Sequence, residues 1–89
     1  MANTKSAIKR WRQSLKRRDR NRARRSAART AIRNVREAVA AGDETRISQA
    51  LSLAFSSLDR AAKGGAIHEG KADRTKSRLA HLATKAREA

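Results

Sequence analysis

Helix breakers occupy only two places in this 89-residue chain: Gly42, and the cluster Gly64, Gly65 and Gly70, with no proline anywhere. An alanine-rich chain so sparsely interrupted divides into three pieces, and each piece reads as helix. No segment alternates apolar and polar residues with period two, which predicts no strands. The first helix is predicted over about 4–41, capped by Asn3 or Thr4 and stopped by a left-handed Gly42. The second, about 43–63, opens at Asp43, a good N-cap, and ends at the Gly64-Gly65 pair. The third, about 68–87, begins around His68 to Gly70.

Each piece carries an apolar stripe at helical spacing. The stripes are Ala28, Ile32, Val35 and Val39; then Ile47, Leu51, Ala54, Leu58 and Ala62, with Phe55 beside them; then Ala72, Leu79, Leu82, Ala83 and Ala86. Amphipathic helices joined by short turns predict an all-α fold, an antiparallel three-helix bundle. Its core is small and alanine-rich, so its stability is expected to be modest.

Length then constrains the rest. A first helix of about 36 residues spans roughly 54 Å at ~1.5 Å per residue, against about 20 residues for each partner. Folded back from Gly42, the second helix covers the first only to about residue 22, so a basic arm, residues 1–22, projects beyond the bundle. Continuing the bundle-facing strip into the arm meets Ser14, Arg17, Arg18, Asn21, Arg24 and Arg25, none of them apolar. Ile8, Trp11 and Leu15 form a small apolar patch on a different side, with nothing in the chain to cover it.

Charge supplies the function class. The net charge is +15, distributed unevenly: residues 1–36 hold fourteen Lys or Arg against the single acid Asp19, a net of +13, while residues 37–89 hold nine against seven. The densest run, KRRDRNRARR over residues 16–25, places Lys16, Arg17, Arg18, Arg20, Arg22, Arg24 and Arg25 around the whole circumference of a helix. Lys5, Lys9, Arg10 and Arg12 continue it towards the N-terminus. Solvated helix faces ordinarily mix signs at i and i+4, and this one lacks the acids to do so. Surrounding anions relieve such repulsion, which points to nucleic acid ahead of an anionic membrane or a solvated tail.

The third helix adds a second signal. Lys71, Arg74, Arg78, His81 and Lys85 share one stripe opposite Leu79, Leu82 and Ala83, with no carboxylate in it. An amphipathic helix must place polar residues outside, but a uniformly cationic stripe suits phosphate. Trp11 either packs on Ile8 and Leu15 or inserts against a base or ribose, and its lack of cover favours insertion.

Other chemistries find little footing. Residues 65–71 fit G-x-x-x-x-G-K, but a helix precedes them and Ala72 stands where a magnesium-binding hydroxyl is required, so a turn between helices explains the glycines. His68 and His81 lie thirteen apart with no cysteine in the chain, which predicts no metal site. His68 is expected to cap the third helix or touch a phosphate. No nucleophile–base set or carboxylate pair suggests an enzyme, a cofactor or a small-molecule substrate. No run of residues is long and apolar enough to span a membrane.

Three segments, in order, carry a family resemblance. MANTKSA, RRSAARTAIRNV and AAKGGAIHEGKADRTKSRL are similar to the opening, the Arg-Arg-Ser-x-x-Arg-Thr segment and the Ile-His turn with Lys-Ser-Arg-Leu of the bacterial small-subunit (30S) ribosomal protein S-twenty family. The match starts at Met1, which argues against a removable transit peptide. The resemblance implies a structural constituent of the cytoplasmic ribosome that binds small-subunit (16S) ribosomal RNA directly and meets neighbouring components of that subunit. It implies RNA contacts at Lys5, Ser6, Arg24, Arg25, Ser26 and Arg29, and at His68, Lys71, Arg74, Lys76, Ser77 and Arg78. Glu69, Gly70 and Asp73 depart from the family's usual Lys, Asn and Ala. A small helical DNA-compacting protein would share the charge and the absence of catalysis, but not these segments.

Overall fold

The computed structural model describes residues 4–88, and three helices account for nearly all of them: α1 (Lys5–Ala41), α2 (Glu44–Lys63) and α3 (Glu69–Glu88). No strand occurs among the described residues. The Thr4 hydroxyl accepts from the Ala7 N–H and opens α1; Asn3, the alternative cap, lies outside the described residues. Gly42 ends α1 with φ 73°, and its N–H donates to the Ala38 and Val39 carbonyls. Asp43 immediately caps α2, accepting from the Thr45 and Arg46 N–H groups. Two strong signals in adjacent residues thus reverse the chain within a single short turn.

α2 runs back along α1, and α3 runs back along α2. One end of the core gathers Ala38, Ile47 and Ala83; the other gathers Ala28, Leu58, Ala72 and Leu79 around Ala31, Val35 and Ala54. α2 lies between the other two, which meet each other along only a short line. The molecule measures 63 × 21 × 14 Å, and its length comes from α1. Before Ala28 no described side chain of α1 is fully buried, so the N-terminal half of the helix projects past the bundle.

The seam differs in detail from the periodicity reading. On α1 the buried positions are Ala28, Ala31, Val35 and Ala38, while Ile32 and Val39 are half-buried at its edge. On α2, Ala61 is buried and Ala62 half-covered; on α3, Leu82 and Ala86 are half-covered beside buried Ala72, Leu79 and Ala83. Alanine at the line of closest approach lets backbones come near, and branched side chains then cover the joint from its flanks.

Candidate nucleic-acid interface

Among the described residues, none folds back to neutralise the arm. Lys5, Lys9, Arg10, Arg12, Lys16, Arg17, Arg18, Arg20 and Arg22 are exposed, with Ser6 exposed among them. Further along α1, Arg25, Ser26 and Arg29 are exposed and Arg24 is half-buried. Asp19 is exposed as well and forms no ion pair with any of them. Among the described residues a single ion pair exists, Lys76 with Asp59, and it lies in the bundle. The like charges on the arm therefore remain uncompensated by protein groups.

The apolar patch stays uncovered too: Trp11 is 63% exposed and Ile8 42%, with Leu15 half-buried beside them. The indole thus stands open to solvent on a cationic helix.

On α3, Lys71, Arg74, Ser77, Arg78, His81 and Lys85 are all exposed, opposite buried Ala72, Leu79 and Ala83. Packing against α2 joins this face to the arm's end. Arg25 and Arg29 of α1 and Lys71 of α3 rim one depression of about 130 Å³, floored by Ala28, Ile32, Leu58 and Ile67. Two basic signals far apart in sequence thereby meet at one depression.

Lys76 points elsewhere. Its Nζ donates to Asp59 Oδ1 at 2.9 Å and sits 5.4 Å from the centre of the Phe55 ring. The hydrogen bond to Asp59, with the negative charges of Asp59 and Asp73, raises its pKa above the ordinary lysine value. Its ammonium links α3 to α2, apart from the outward stripe. His68 is a cap: its Nδ1 accepts from the Gly70 N–H at 3.0 Å, at the entry to α3. The turn ahead of it contains Gly65 at φ 78°, so this segment is an inter-helix connection with its glycine conformation set by the backbone.

The surface also contains cations that periodicity left aside. Arg60 and Lys63, in the last turn of α2, border a depression with Arg24 and Gly64. They lie far from Arg24 in sequence, and only the antiparallel pairing of α1 and α2 brings them beside it.

Known proteins resemble this chain along nearly its whole length. The family model described as ribosomal protein S20 matches residues 2–84. The small ribosomal subunit protein bS20 of Geotalea daltonii is 51% identical over 82 residues, covering 92% of this chain and 94% of that one. The bS20 of Bordetella petrii is 50% identical over 80 residues, covering 90% and 92%. That of Beutenbergia cavernae is 50% identical over 80 residues, covering 90% and 93%. Matching nearly from end to end in both directions, the chain belongs to the ribosomal protein S20 family.

Proposed function

We propose that this chain binds small-subunit (16S) ribosomal RNA directly, with the α1 arm and the outer face of α3 as one phosphate-facing surface. Membership of its family makes it a structural constituent of the small ribosomal subunit, on the cytoplasmic ribosome, and not an enzyme. The observation that carries the RNA reading is the uncompensated arm: a dense helical run of Lys and Arg with no carboxylate partner among the described residues. A helix charged around its circumference gains little from packing, and phosphates lining it remove the repulsion.

Lys5, Ser6, Lys9, Arg10, Arg12, Lys16, Arg17, Arg18, Arg20 and Arg22 act along the projecting arm. Arg24, Arg25, Ser26 and Arg29 act where it enters the bundle, and Lys71, Arg74, Ser77, Arg78 and Lys85 act on α3. Trp11 supplies the aromatic contact. His68 holds the start of α3 in place and presents the turn. Lys76 acts mainly by fixing α3 on α2. With two aromatics in the chain there is no stacking platform, so recognition rests on phosphate geometry and RNA shape. Neighbouring components of the subunit complete the surroundings.

Filter-binding titrations with a folded 16S RNA fragment and with duplex DNA of equal length test this. RNA is expected to win at every salt concentration. With six to ten phosphates engaged, log affinity should fall against log salt with a slope of roughly −5 to −9. Equal affinity for the duplex, or a slope near −1, would overturn the reading.

A further inference from the structure

We propose that Arg24, Arg60 and Lys63 form a clamp for one stretch of RNA backbone phosphate, at the point where the arm leaves the bundle. The proposal rests on the RNA-binding reading above and adds to it a site on α2, the helix whose sequence advertises no interface. Arg60 and Lys63 are three apart, so they share a face in the last turn of α2. α1 passes that turn in the opposite direction and brings Arg24 to the same place. The residues bordering the resulting depression of about 340 Å³ are Arg24, Arg60, Lys63 and Gly64. An acid does adjoin Arg60 in sequence, but the Asp59 carboxylate is turned to α3 and held by Lys76 at 2.9 Å.

Gly64 is the telling residue. Its backbone is helical, with φ −80° and ψ −3°, a conformation open to any residue. The left-handed position is its neighbour Gly65, at φ 78°. What Gly64 provides is space, because a Cβ there would collide with the Nη1 and Cζ atoms of Arg24. The missing side chain admits the guanidinium against the helix end.

A helix C-terminus attracts cations on its own account, so a purely structural reading must be weighed. In that reading Arg24 would donate to the terminal carbonyls of α2. Three of the last four carbonyls already have backbone donors: Arg60 O takes the Gly64 N–H, Ala62 O takes the Gly65 N–H, and Ala61 O takes the N–H groups of Ala66 and Ile67. Among the described residues Arg24 makes no hydrogen bond and no ion pair. The helix end contributes about half a negative charge, against three positive side chains. An excess of cationic charge, with guanidinium donors unspent, is the chemistry that takes a phosphodiester.

The test compares salt slopes of the full-length protein on the folded 16S fragment, with circular dichroism melts to confirm folding. In Arg60→Ala/Lys63→Ala, two lost phosphate contacts should make the slope shallower by about 1.4–1.8. Equivalently, its affinity deficit should narrow by about 7- to 12-fold between 50 and 200 mM salt. Arg46→Ala/Arg87→Ala removes the same charge at the other end of the bundle and should change the slope by less than half as much. Arg24→Ala removes the third cation of the clamp and should lose about one unit of slope. Equal changes in the two double variants, or a wild-type slope in Arg24→Ala, would overturn the clamp while leaving the RNA-binding reading intact. A flat salt response in the wild-type protein would instead overturn that reading.

Discussion

Two leucines on α2 offer a sharp test of the packing. Leu58 is 2% exposed and sits among Ala28, Ala31, Val35, Ala54, Ala72 and Leu79, where all three helices meet; Leu53 is 65% exposed. Leu58→Ala removes three buried carbons, worth about 2.4 kcal/mol at ~0.8 kcal/mol each. Four of its six buried neighbours are alanines, which have no rotamers with which to fill the gap. A residual void of about 50 Å³ at roughly 24 cal/mol per Å³ adds about 1 kcal/mol. The expected loss is therefore about 3–4 kcal/mol. A bundle of about 60 residues is stable by roughly 3–9 kcal/mol, so much of its margin disappears. In urea or thermal melts followed by circular dichroism, the midpoint should fall by roughly 12–30 °C, or the cooperative transition should vanish. Leu53→Ala should stay within about 0.5 kcal/mol of wild type. A Leu58→Ala cost below about 1 kcal/mol, or equal costs at the two positions, would refute the placement of the core.

Three further outcomes are expected. Removing residues 1–20 deletes eight Lys or Arg and should sharply weaken RNA binding while the bundle's melting midpoint stays put; loss of cooperative unfolding would show that the bundle extends into the arm. Trp11, the sole tryptophan, should emit far to the red in the free protein, then shift blue or be quenched on RNA. Its replacement by Ala should weaken binding by about 1–3 kcal/mol if the indole stacks; an indole shielded from a soluble quencher in the free chain would contradict its exposure. Gly42→Ala places a Cβ in open space at φ 73°, so it should cost only the backbone penalty of about 1–2 kcal/mol, read from the melting midpoint, with RNA affinity unchanged.

How far the sequence revealed this molecule depends on whether the signal was local. The reversal at Gly42 and Asp43 was readable because a left-handed cap and an N-cap are properties of single residues. The three-helix fold was readable for the same reason, since nothing else breaks the chain. The α1 seam was harder. Alanine is so common here that apolar size drew attention to Ile32 and Val39, whereas close helix approach selects Ala31 and Ala38 for the interior. Lys76 illustrates a related limit: the family resemblance implied an RNA contact there, and only the structure shows its long stem reaching across Phe55 to Asp59. The grouping of Arg24 with Arg60 and Lys63 was invisible to periodicity, because it exists only once α1 and α2 lie antiparallel. Gly64 held a clue: a glycine with ordinary helical geometry calls for an explanation in its surroundings.

The mismatch in length between α1 and its partners bears on how long an unbound copy survives. Backbone without tertiary contacts opens locally at almost no cost, whereas opening the bundle requires most of its global stability. The arm is dense in the Lys and Arg bonds that trypsin-like proteases cut. Digestion of the free protein should therefore begin there and follow the local helix–coil balance, with little dependence on how stable the bundle is. If RNA encloses the arm as proposed, those bonds should be denied to the protease. On the proposed RNA contact, a surplus molecule would be perishable and a seated one durable, with the distinction written into the exposed half of a single helix.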